Sequence, residues 1–201
     1  MEQQQKPNPL EENNSSTSQS VGGFIWDLVK ILIIALVIIV PFRMFVAEPF
    51  VVSGSSMLPN FHNGDYLVID RLSYITGSPA RGDVIVLRYP KDTSQFFIKR
   101  VIGLPGETVS LTQGYVLVVN AQHPEGFRLN EPYLPNQAET FGRSEPVRLG
   151  SNEYFVLGDN RTASSDSRVW GILPRDDVVG RVWTRVFPFG AAGFMKTPSY
   201  Q

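Results

Sequence analysis

The chain has 201 residues, of which 42% are hydrophobic, with a formal net charge of −1, no cysteine and 2 histidines. That length holds one modest domain with its own core plus an anchor. The balanced charge leaves no basic footprint for nucleic acid, and the missing cysteines exclude disulfides, thiolate metal sites and a cysteine nucleophile.

Residues 1–23 are rich in Gln, Asn, Ser and Glu and nearly free of apolar side chains. They cannot bury enough surface to offset ordering entropy, which predicts a disordered tail. Residues 24–47 follow as a dense apolar run with no polar face between Ile31 and Val40. The run reaches the roughly 20 residues that span a bilayer. Asp27, Lys30 and Arg43 lie toward its ends, where cationic side chains can snorkel, and Trp26 suits an interface. A cleaved leader would instead have a basic start and a small-residue cleavage site. Here an acidic, Asn-rich tail precedes the run and Pro41-Phe-Arg-Met-Phe45 follows it, so a single-pass anchor is expected. Lys6 and Lys30 on one side and Arg43 on the other leave its orientation nearly balanced by charge.

From Glu48 the texture changes to short β-like runs separated by Gly, Pro and Asn. Strands are predicted at 65–70, 83–89, 96–102, 108–111, 115–119, 153–157 and 178–187, with Thr112-Gln-Gly114 as a hairpin turn. This spacing predicts a mainly β domain of packed or barrel-like antiparallel sheets over residues 48–190, followed by a flexible tail over 191–201. Phe42, Phe45, Trp183, Phe187, Phe189 and Phe194 are candidates for a lipid-facing apolar surface, although Trp183 and Phe187 read better as core.

Four segments carry candidate chemistry. Val52-Ser-Gly-Ser-Ser-Met-Leu-Pro59 is a small-residue loop of the kind that exposes a hydroxyl beside backbone N–H groups. Alone it is no more than a Ser/Gly turn. Phe97-Ile-Lys-Arg-Val-Ile102 places Lys99 inside an apolar strand. Burial there would lower its pKa and yield the neutral amine that a general base requires. Alternation sends Ile98 and Lys99 to opposite faces, and the residues alone leave open which one faces a site. Gly158-Asp-Asn-Arg161 with Ser164-Ser-Asp-Ser-Arg168 could form a hydrogen-bonded platform of carboxylates and guanidiniums. Arg81-Gly-Asp83 opens a strand and is by itself a turn. Neither His62 nor His123 sits in a triad context.

In this order, behind one apolar segment, Ser56-Met-Leu-Pro59, Arg81-Gly-Asp-Val-Ile-Val86, Phe97 to Gly106 and the Gly158–Arg168 cluster resemble the bacterial type I signal peptidases. The resemblance implies a largely antiparallel β fold and a Ser/Lys peptidase that cuts signal peptides from exported preproteins, without cofactor or metal. It implies Ser56 as nucleophile, Lys99 as general base, and Ser164 as the hydroxyl orienting the amine. Arg100, Asp159, Arg161, Asp166 and Arg168 become scaffold charges, and Phe50, Val52, Val86 and Ile98 the substrate wall. Substrate is expected to pair with strand edges near Phe50–Val52 and Val86. Some relatives carry a serine where this chain has Gly54, so the second oxyanion donor is left open, and nothing functional is read into Asn60. The family places the tail in the cytoplasm and the domain on the extracytoplasmic side of a bacterial or thylakoid-type membrane. The self-cleaving repressors of the SOS response share the catalytic pattern without an anchor. A tethered β module that only binds peptides would have no need of Ser56 and Lys99 together.

Overall fold

The computed structural model of the protein describes residues 21–41, 47–135, 138–142 and 145–198. Phe42 and Phe45, and nearly all of the expected amino-terminal tail, lie outside them. The described residues form two units, an apolar helix and a β domain.

The helix, α1, runs from Val21 to Pro41. It starts before the expected residue 24, taking in Val21 and two glycines. Residues Val21–Ile39 are long and apolar enough to cross a membrane by length and composition. Near its middle Lys30 pairs with Asp27 at 3.1 Å and lies 5.8 Å from the Trp26 ring, so the two charges within the span neutralise each other.

The domain contains β1 (Ala47–Val51), β2 (Tyr66–Asp70), a short helix α2 (Ser73–Thr76), β3 (Val84–Tyr89), β4 (Asp92–Gly103), β5 (Thr108–Thr112) and β6 (Tyr115–Val119). Next come β7 (Phe127–Arg128), β8 (Val147–Arg148), β9 (Glu153–Leu157), α3 (Ser167–Trp170), β10 (Leu173–Pro174), β11 (Val178–Phe187) and β12 (Gly193–Phe194). The larger sheet has the order β1-β2-β11-β3-β4-β9-β10, and the smaller one β7-β6-β5-β8. All their pairings are antiparallel, as the sequence predicts. Gln113 (φ 49°) and Gly114 (φ 82°) turn the β5–β6 hairpin through the left-handed backbone that a two-residue connection favours.

The larger sheet is buried on both faces. Val84 and Val86 of β3 join one core with Val52, Met57, Phe61, Leu67 and Ile98. Ile85 and Leu87 join a second, with Val101, Tyr154, Val156 and Trp170. This explains why β3 reads as an unbroken β-branched run instead of an alternating one. A third core, including Ile102, Val109, Val118, Phe155 and Leu157, is shared by the two sheets.

The stretch expected as a tail from residue 191 folds back. β12 pairs with β11 at Thr184 and Arg185, past the residues that β3 occupies. Met195 packs on the first core, and the Thr197 hydroxyl donates to buried Asp83 at 2.8 Å. Apolar Phe194 and Met195 supply contacts that the polar run 196–198 conceals in the sequence. Trp183 and Phe187, read as core, are 44% and 46% exposed, because β11 leaves the double-sided core after Val182.

Buried Glu107 joins the turn after β4 to the second sheet. It takes hydrogen bonds from Arg81 (2.5 Å), Asn120 (2.9 Å) and the Leu104 N–H (2.9 Å). Burial pushes its pKa up, but these donors outweigh it and hold the carboxyl below its ordinary value. The stabilisation is therefore complete above the unfolded pKa and is lost as pH falls through the depressed folded one. Glu107→Gln should cost about 2 kcal/mol near neutrality. Its difference from the parent in thermal or urea unfolding should shrink as pH drops below the ordinary carboxyl range.

Candidate active site

Ser56 and Lys99 are 43 positions apart, and the fold brings the Lys99 Nζ to 2.9 Å from the Ser56 Oγ. Two local structures achieve this. After β1 the chain leaves the sheet into the loop 52–60, pinned where Val52 N–H donates to the Asp65 carbonyl and Gly64 N–H to the Val52 carbonyl, both at 2.9 Å. Met57, immediately after Ser56, is 1% exposed and anchors the loop in the first core. Lys99 comes from the middle of β4, paired with Ile85 of β3.

Lys99 is 3% exposed and Ile98 9%, so both faces of β4 are buried here. The amine has a second hydrogen bond, to the Ile98 carbonyl at 2.8 Å. Burial lowers its pKa from the ordinary 10.5 to about 8, against the opposing pull of Asp166 and Asp159. Those two carboxylates are each bound by a guanidinium. Asp159 takes a two-pronged contact from Arg100 (2.8 and 2.6 Å), and Asp166 one from Arg168 (2.8 and 2.8 Å).

The remaining expected scaffold residue, Arg161, ties the same loop to a different partner. It donates to Glu131 at 3.0 and 2.5 Å and to the Gly158 carbonyl at 3.1 Å. The Asp166 carboxylate also accepts the Gly158 N–H at 3.0 Å. Gly158 leaves no room for a side chain. A Cβ there would lie 2.5 Å from the Ser56 carbonyl oxygen and 2.2 Å from the Ser164 Oγ.

Ser164 is where the structure departs from expectation. Its Oγ is buried and has no hydrogen-bond partner among the described residues, and the amine bonds Ser56 and Ile98 instead. The Ser164 side chain lies against Gly158.

A cleft of about 290 Å³ opens beside Ser56 and Lys99, and Phe50, Val52, Val86 and Ile98 are among the residues that line it. Phe96 also lines it, in edge contact with Phe50 at 5.7 Å. Gly54 lies at its rim with φ +93°. Val86 contributes its side chain but not a free edge, because its backbone pairs with both Ile98 and Gly180. The open edges are elsewhere. β1 ends the sheet, and β4 pairs with β9 only from Arg100 onward, so residues 96–98 carry no second strand among those described.

Some site residues escaped the sequence reading. Asn60 donates to Asp159 at 2.8 Å and to the Tyr133 carbonyl at 3.0 Å, linking the nucleophile loop to the Gly158 loop. Tyr133 lies 3.9 Å from the Arg100 guanidinium. Asn160 was visible only as a motif letter. Its N–H donates to the Ser56 carbonyl at 3.0 Å and its Nδ2 to the Ser55 carbonyl at 3.1 Å.

Comparison with known proteins bears on this geometry. The family described as "Signal peptidase, peptidase S26" matches residues 25–187. A Synechocystis protein named "Probable signal peptidase I-1" is 39% identical over 172 residues, covering 82% of this chain and 84% of that one. Signal peptidase I T of Bacillus subtilis is 36% identical over 170 residues, covering 80% and 84%. The crystal structure of a signal peptidase I from Enterococcus faecalis V583 aligns with a TM-score of 0.43 and 29% identity, over 52% of this chain and 97% of that one. With the family match spanning most of its length and these relatives aligned over most of theirs, the chain belongs to the signal peptidases of peptidase family S26 and is a serine peptidase.

Proposed function

We propose that this chain is a membrane-anchored signal peptidase that cuts signal peptides from exported preproteins with Ser56 as nucleophile and Lys99 as general base. The observation that carries the reading is the buried Lys99 amine, 2.9 Å from the Ser56 hydroxyl and shifted toward neutrality. A neutral amine takes the hydroxyl proton as Ser56 Oγ attacks the scissile carbonyl. The backbone N–H of Ser56 meets the oxyanion. The resulting ammonium returns its proton to the leaving amine, and water then hydrolyses the ester.

The extended substrate adds a strand to the open edges at β1 and at residues 96–98 of β4. Its side chains before the cut enter the wall of Phe50, Val52, Val86 and Ile98. The reaction uses no cofactor or metal.

α1 is the anchor, with the amino-terminal tail on the cytoplasmic side and the peptidase domain outside. Anchoring brings the enzyme to the depth where signal peptides lie and raises their effective concentration. Trp183, Phe187, Phe189 and Phe194, all exposed, contact the lipid interface.

Ser56→Ala and Lys99→Ala should each lower preprotein cleavage by about a thousandfold or more. Lys99→Arg should fail equally, since a guanidinium stays charged. Parent kcat/KM should rise with pH, because the base is the deprotonated form, and level off above about 8, the value to which burial brings the amine. EDTA should not change it. Normal turnover by either alanine variant, measured by mass spectrometry of the cut product, would defeat the dyad.

Because the chain has no cysteine, single introduced thiols report orientation cleanly. In intact cells an impermeant maleimide should label Gly190→Cys and reach Leu10→Cys only after permeabilisation. The reverse pattern would overturn the topology.

A further inference from the structure

The loop that carries Ser56 is held from two sides. Asn160 grips it beyond Gly54, through the Ser55 and Ser56 carbonyls. The C=O and N–H of a trans peptide point in opposite directions. Fixing the Ser55 carbonyl therefore fixes the direction of the Ser56 N–H, the proposed oxyanion donor.

Before Ser56 the hold is different. Gly54 has φ +93°, a conformation that L side chains rarely adopt, and a Cβ built there meets nothing within 4 Å. Glycine is therefore favoured here for its dihedral angle and not for space. A glycine in open space is also free to leave that angle, so its neighbours must select it. One bond does so. The Gly54 N–H donates to the Asn63 Oδ1 at 2.9 Å. Asn63 is exposed and lies on the turn whose next residue, Gly64, bonds back to Val52. It belongs to none of the four segments singled out in the sequence.

We infer that Asn63 is a positioning residue for the Ser56 loop, its side-chain carbonyl holding the Gly54 N–H so that Gly54 keeps the left-handed turn that presents the Ser55–Ser56 peptide to the cleft. The inference rests on Ser56 being the nucleophile. Asn63 touches neither the reacting atoms nor the wall of the cleft, and it acts through Gly54. Its loss loosens the attack geometry and the oxyanion donor while leaving Phe50, Val52, Val86 and Ile98 in place. The effect belongs in kcat and not in KM.

The test uses the full chain in detergent, a synthetic peptide bearing a signal-peptide cleavage site, and a pH on the alkaline plateau, where small changes in Lys99 basicity are silent. Asn63→Ala should lower kcat about tenfold, with KM held within about twofold and the melting temperature within about 2 °C. Asn63→Asp keeps the acceptor and should return kcat to within about threefold of the parent. Gly54→Ala, which adds a methyl to empty space at an unfavourable φ, should lose kcat to a similar degree. Parent-like kcat in Asn63→Ala or Gly54→Ala would overturn the inference, as would a loss confined to KM or an Asn63→Asp variant as slow as Asn63→Ala. An active Ser56→Ala variant would instead remove the nucleophile assignment on which it rests, and the two failures are told apart by which variant keeps its rate.

Discussion

A lysine amine buried to 3% exposure, with no carboxylate among the described residues in hydrogen-bond contact, is a costly arrangement on which the site depends. Desolvation disfavours the ammonium, and the usual remedy is an adjacent Asp or Glu that keeps the charge. Here the two nearby acids, Asp159 and Asp166, are each occupied by a two-pronged guanidinium. Burial outweighs their remaining pull, and the amine settles toward neutrality. The other features of the site support that outcome. β4 has to be covered on both faces, the nucleophile loop has to close over its middle, and the Gly158–Arg168 segment has to bring the paired charges close without letting them reach Lys99.

The architecture meets these needs by sharing strands among cores. β3 contributes alternate side chains to two of them, and β4 and β9 connect those to the smaller sheet through Ile102, Phe155 and Leu157. Arg100 faces the side of the larger sheet that carries Ile98 and Ile102, so its pairing with Asp159 places a satisfied ion pair within an apolar layer. Asn60 extends that pair to the nucleophile loop, and Asn160 returns from the same acidic segment to the Ser56 backbone. The two halves of the proposed dyad are thus referenced to one hydrogen-bonded framework.

Much of this was legible in the residues. The β-branched runs gave strands β3, β5, β6, β9 and β11 with small errors at their ends, and Thr112-Gln-Gly114 gave its hairpin. Ser56 and Lys99 stood out because their flanking letters resemble a known family. What was hidden is what three-dimensional packing decides. Alternation could not tell which face Lys99 uses, since β4 is buried on both. The Ser164 hydroxyl, expected to orient the amine, has no hydrogen-bond partner among the described residues, and its side chain lies against Gly158. Val86 has no free edge because two strands flank it. Asn60 looked like an ordinary loop residue, and its partner lies 99 positions away. The return of residues 193–198 onto the domain depended on Met195 and Thr197 finding surfaces set by distant strands.

The choice of arginine at positions 100 and 168 has a consequence of its own. A guanidinium keeps its proton throughout the range in which a lysine of lowered basicity titrates. The shielding of Asp159 and Asp166 therefore does not lapse as the medium turns alkaline. With arginine, the electrostatic background stays constant while the one amine changes state, so its titration reports burial instead of a collective rearrangement of the site.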